Sequence, residues 1–214
     1  LYDYFESRTP GRVFVSPEWC TISGWISSNY QKRFALDLRL SHTFVNYSGW
    51  YDNSYTFSPR FRFNDKLFGV ISIEQNFTKG YLGYAVPFGI PAYQGNEIVF
   101  GKRNQTNTIS SINLTYTLTN RMGITFRLRH YRSAVNYSSF YFLNSDGTLQ
   151  ANSLDGLDEN GISAYNENYN AFTIDFGYRW VFQPGSEMSV VWKNSIFADD
   201  QYYSASYFSN ARTM

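Results

Sequence analysis

The 214-residue chain has one cysteine, two histidines and six prolines, and only 16% of its residues are charged. Each shortage removes a class of protein. A lone Cys20 allows no disulfide within the chain and no thiolate metal cluster. No stretch approaches the roughly 18 consecutive apolar residues that a spanning helix needs. Even Leu67 to Ile73 is broken by Gly69 and Ser72. A formal charge of +1 without a Lys/Arg stripe leaves no footprint for nucleic acid, so none is expected as a partner. There is no Gly-x-Ser-x-Gly elbow, no phosphate-cradling glycine loop and no histidine near Cys20 in sequence. A membrane lipase or protease would lack its base and nucleophile pair. No enzyme activity, catalytic residue or cofactor is therefore expected.

What the chain does have is aromatic side chains, 20% of residues with 19 Tyr and 19 Phe, at a mean hydropathy of −0.39. They fall at period two. Phe34, Leu36, Leu38, Leu40, His42 and Phe44 alternate with Ala35, Asp37, Arg39, Ser41 and Thr43, which gives a strand one greasy and one charged face. Further apolar rows are Tyr55, Phe57, Phe61 and Phe63; Ile112, Leu114, Tyr116 and Leu118; Met122, Ile124, Phe126 and Leu128; and Phe172 through Phe182. Long aromatic rows opposite mid-strand charges predict an all-β fold, a transmembrane antiparallel up-and-down β-barrel of the outer-membrane type, incomplete in this chain.

Eight strands are expected: 19–26, 34–44, 54–63, 67–77, 109–118, 122–131, 171–182 and 187–197. Short turns at 27–33, 64–66, 119–121 and 183–186 alternate with longer stretches at 45–53, 78–108 and 132–170. Such barrels keep tight turns in the periplasm and long loops outside. The expected organisation is thus a leader over 1–18 on the extracellular side, strands and loops over 19–197, and an extracellular tail over 198–214 before a missing closing strand, with sequence absent on each side. Pro59 predicts a β-bulge, and Asn144-Ser145-Asp146-Gly147 predicts a hairpin that extends strands above the membrane.

By register, Asp37, Arg39, Arg60, Arg62, Glu74, Arg127, Arg129, Asp175, Arg179, Glu187 and Lys193 face the lumen, since a charge facing lipid near the midplane costs about 2–4 kcal/mol. They make either a field that orients a passing solute or a paired network filling a narrow lumen. His42 and His130 fall at the polar boundary of apolar rows and suit headgroup level rather than a metal. Asp155, Asp158 and Asn160 resemble a calcium loop whose spacing misses the EF-hand pattern. In the long stretches, Tyr81, Tyr84, Phe88 and Tyr93, then Tyr137, Tyr141, Tyr165 and Tyr169, are candidates to stack on sugar rings. Packing of the loops against each other is the alternative.

Three stretches carry a family resemblance: the leader YDYFESRTPGR with Tyr4, Glu6, Arg8, Pro10, Gly11 and Arg12; then GWISSNYQKRFALD; and FQPGSEMSVVWKN, with Pro184-Gly185 and Trp192-Lys193-Asn194. Together the chain resembles the C-terminal barrel of a Bacteroidota-type outer-membrane family known as domain of unknown function 5916. The resemblance implies the outer membrane of a Gram-negative bacterium and, in full-length relatives, a preceding module similar to carbohydrate-binding family 9. It supplies no catalytic residues. The expected partners are outer-membrane lipid and lipopolysaccharide, a glycan ligand, and an outer-membrane protein complex. The expected function is carbohydrate binding, uptake or transport at the cell surface. The alternatives are a non-conducting structural or accessory barrel and a soluble β-sandwich glycan-binding module.

Overall fold

The computed structural model describes residues 1–87 and 97–201. It holds eleven β-strands and, among the described residues, no helix. Two short strands, β1 (Tyr2–Asp3) and β2 (Phe14–Val15), pair with each other. The rest form one antiparallel sheet. Its path runs β3 (Trp19–Ser27), β4 (Phe34–Val45), β5 (Tyr51–Arg62), β6 (Leu67–Tyr84), β7 (Val99–Thr119), β8 (Met122–Leu143), β10 (Glu167–Gln183) and β11 (Ser186–Asp200). The short β9 (Leu149–Asn152) adds to β8 off this path. The sheet is open, with β3 and β11 at its edges. Among the described residues the only other sheet is the two-stranded β1–β2 pair, which packs over the extensions of β6 to β8 and leaves the rest of the large sheet uncovered.

All eight expected strands are present, but β6, β7 and β8 run well past their expected ends. About half of the stretches 78–108 and 132–170, expected as long loops, is strand, and β5 begins at Tyr51 inside the expected 45–53 connection. The reason is packing. These extensions are covered by the leader and by the connection before β5, so their sequence loses the apolar/polar alternation that marked the rest. Gly80 shows the close approach: its φ is +66°, and a side chain there would collide with the backbone of Gly49. Register shifts at Thr78/Tyr81 and Lys102/Arg103 mark where the ladder changes character.

No bulge forms at Pro59. The β5–β6 ladder skips Ser58 and Pro59 and resumes at Arg60–Val70 in unchanged register, while Pro59 still pairs with Leu36 on β4. A missing N–H costs one rung there without inserting a residue. The 144–147 turn forms as expected. Gly147 (φ +84°) donates to the Asn144 carbonyl at 3.1 Å, and Leu143 pairs with Leu149. At the other end of the sheet Gly185 takes a positive φ of 79° in the Pro184-Gly185 turn.

Register shows what the faces are. The row Ile26, Leu38, Phe57, Ile73, Ser110, His130, Phe172 and Ile196 crosses all eight strands on one face. Rows nearer the short turns are apolar apart from Asn194 on β11, as in Leu114, Phe126, Phe176 and Trp192. The strand ends drift steadily against this level. Ile26 lies one residue from the end of β3, Phe57 five from that of β5, His130 eight from that of β8, and Ile196 ten from that of β11. A drift of nine residues over seven strand-to-strand steps, at about 3.3 Å per residue and about 4.8 Å per step, is a slope of roughly 40°.

Candidate functional site

All eleven expected charged residues share the face opposite the apolar rows. Glu74 stands between Thr56 and Ile109; Arg127 faces Asp175, which faces Lys193 in turn. The tightest cluster is at the short-turn end. Asp37 accepts hydrogen bonds from Ser27 Oγ (2.6 Å), Tyr30 Oη (2.5 Å) and Arg60 Nε (3.0 Å), and the Arg60 guanidinium sits 4.5 Å from the Tyr30 ring centre. One carboxylate thus ties β3, β4 and β5 together. At the far edge Arg179 pairs with Glu187 at 2.7 Å, and Arg127 Nε donates to Asn113 Oδ1 at 3.0 Å. Arg39, Arg62, Glu74, Arg129, Asp175 and Lys193 make no ion pair among the described residues. The face is therefore partly paired; among these eleven residues cations outnumber carboxylates by seven to four, and Asp52 and Asp199 stand on the same face toward the strand extensions.

The aromatics of the strand extensions are placed by packing. Tyr137 stacks on Phe140 with ring planes 8° apart, and Tyr165 closes on both at 5.8 and 4.5 Å. Burial raises the Tyr137 and Tyr165 hydroxyls above the ordinary tyrosine range. Tyr84 and Tyr141 pack against the core of Phe14, Leu82, Ile98, Phe100 and Leu143. Tyr169 lies 5.9 Å from Tyr131. Tyr81 sits 5.0 Å from Trp50 and under Arg103, and burial together with Glu6 pushes its hydroxyl up to about 12. None of these six is exposed. Phe88 and Tyr93 lie outside the described residues.

His42 bonds Asn53 through Nδ1 at 2.7 Å and His130 bonds Asn170 through Nε2 at 3.3 Å, several strands apart. Among the described residues no group of three His, Cys, Asp or Glu gathers to hold a metal. The carboxylates of the stretch that resembles a calcium loop serve as turn caps: Asp158 Oδ1 accepts from the backbone of Asn160 and Ile162, and Asp155 Oδ1 from Leu157.

Sequence reasoning missed the leader as a structural part. Phe14 packs tilted against Phe100 at 4.8 Å, Glu6 Oε1 accepts the Tyr84 N–H at 2.9 Å, and Arg12 donates to the Leu143 carbonyl at 2.5 Å. Between the leader and the charged face of β3 to β5 lies a cavity of about 390 Å³. The signal was present in Glu6 and Arg12 of the YDYFESRTPGR stretch, charged residues amid aromatics with no periodic strand to place them.

The molecule is thus an all-β antiparallel protein built on one open, two-faced sheet. Its sequence matches the family model of domain of unknown function 5916 over residues 1–214, and the chain belongs to that family. No curated protein and no solved structure matches it.

Proposed function

We propose that the sheet is part of an outer-membrane β-barrel, with its apolar face toward lipid and its charged face lining a lumen. The observation that carries this reading is the uncovered apolar band. Phe57, Ile73, Val190 and Trp192 are 44–53% exposed in strand interiors, with no second layer over them among the described residues. Water does not tolerate a patch spanning eight strands, whereas acyl chains do. The strand stagger agrees, since outer-membrane barrels tilt their strands by about 35–45°. The leader and the strand extensions, at the end away from the short turns, would then stand outside the cell.

Below the level of Asp52 and Asp199, Arg39, Arg62, Arg127, Arg129 and Lys193 outnumber Glu74 and Asp175 once the two ion pairs are set aside, so an open lumen would favour anions there. The pairs Arg60–Asp37 and Arg179–Glu187 favour a second reading, a barrel whose lumen is filled and does not conduct. Carbohydrate stacking at the extension aromatics draws no support, because Tyr137, Phe140 and Tyr165 give their ring faces to each other. The test is to purify the full-length protein and reconstitute it in planar bilayers. Detergent-dependent solubility and anion-preferring current steps are expected. Detergent dependence without current leaves the filled barrel, and a monomer that stays dispersed without detergent removes both readings.

A further inference from the structure

The cavity under the leader differs in chemistry from the face below it. Three carboxylates, Asp3, Glu6 and Asp52, line it, and among the described residues no lysine or arginine does. Asp3 uses Oδ1 for the backbone N–H groups of Phe5 and Glu6, and Glu6 uses Oε1 for that of Tyr84. The Asp52 carboxylate makes no hydrogen bond or ion pair among the described residues. Arg103 lies over the Tyr81 ring at 4.8 Å with one arm beside Glu6, and through Nη1 it donates to the Tyr84 carbonyl and the Tyr137 hydroxyl, which leaves Asp52 as the carboxylate without a cation among the described residues. The walls are aromatic: Trp50 and Tyr81 meet edge to face at 5.0 Å. Trp50 Nε1 is buried and has no hydrogen-bond partner among the described residues.

Negative charge set against aromatic faces recognises a cation that is poorly hydrated and carries its own apolar surface. A bare divalent ion does not fit, because the three carboxylates are not gathered closely enough to ligate one. A sugar would use the rings but leave the charges unanswered. We propose that this cavity is a binding site for a small organic cation of the alkylammonium class, with Asp52 as its counter-ion and Trp50 and Tyr81 as its walls. At about 390 Å³ it has the size of a small-molecule pocket. Thr21 and Thr43, hydrogen-bonded to each other at 2.8 Å on the sheet floor, offer oxygens to any hydroxyl on the ligand.

The site holds whichever way the sheet meets a membrane, so its test is independent of that reading. Full-length protein is titrated calorimetrically with choline chloride and, separately, with 3,3-dimethylbutan-1-ol, the neutral compound of the same shape. Choline is expected to bind saturably with Kd on the order of 1 mM, and the alcohol at least about tenfold more weakly. Asp52→Asn, which keeps the side-chain shape, is expected to weaken choline by about tenfold while leaving the circular dichroism unchanged. No saturable choline binding, equal binding of the alcohol, or full retention of affinity in a folded Asp52→Asn protein would each overturn the site.

Discussion

Asp37 and Tyr81 show how differently a polar group can be held in this sheet. Asp37 gathers donors from β3, from the turn that follows it and from β5, so Asp37→Ala leaves Arg60 and Tyr30 without their acceptor. It is partly exposed, which discounts the loss to about 1–2 kcal/mol, read as a lower denaturant midpoint. Tyr81 is held neutral by burial and by Glu6, with a hydroxyl near 12 against about 10 when unfolded. Between those values the folded state binds the extra proton, so stability falls as pH rises from about 10 to about 12. Below pH 10 both states carry the proton and the slope vanishes. Tyr81→Phe is expected to make this alkaline loss shallower, checked by unfolding midpoints taken from pH 9 to pH 12. The opposing charges on one face were legible in sequence, because period two assigns a face to every residue of a strand. The partners of Asp37 were not, since Ser27 and Tyr30 reach it from outside its own strand and a sequence does not show register across a turn.

At the scale of elements, the leader is the part whose role is least obvious from composition. It has only two short strands, yet Phe14 is 4% exposed in the main core cluster and Val15 is tied to the Gly147 carbonyl at 2.9 Å. Phe14→Ala removes a ring packed on Phe100 and Leu82, a loss of about 3–5 kcal/mol for a buried phenylalanine. The extensions of β6, β7 and β8 should then exchange amide hydrogens faster while the rows below the His130 level keep their protection; uniform loosening would mean that the leader supports the whole sheet. Gly147→Ala should loosen the same region, because its positive φ and the Val13 carbonyl 2.9 Å from a would-be Cβ both oppose a side chain. Alternation made the strands legible up to the level where water or lipid meets them on one side. Beyond it, Tyr81 to Tyr84 and Val99 to Arg103 are covered on more than one side, and a strand packed that way has no reason to alternate. That is why the extensions of β6, β7 and β8 read as loops.

For the whole molecule, the remaining question is what covers the apolar face, and neighbouring residues on β7 can answer it. Leu114 and Asn113 are adjacent, equally embedded in the sheet, and point to opposite faces; Leu114 lies in the row with Phe126 and Phe176, Asn113 opposite Arg127. If lipid covers the apolar face, Leu114→Arg sets a charge in hydrocarbon at a cost of about 2–4 kcal/mol. Asn113→Arg adds a cation to a wet, already cationic wall and should cost under about 1 kcal/mol at moderate salt. If the face meets water, the order reverses: Leu114→Arg becomes an ordinary exposed substitution, and Asn113→Arg crowds Arg127, which now donates to the Asn113 side chain. Unfolding both variants from phosphatidylcholine vesicles alongside the parent protein measures the sign of the difference. A larger loss at Leu114 requires a nonaqueous partner along the row from β6 to β11, and equal losses would remove the membrane reading together with the lumen drawn from it.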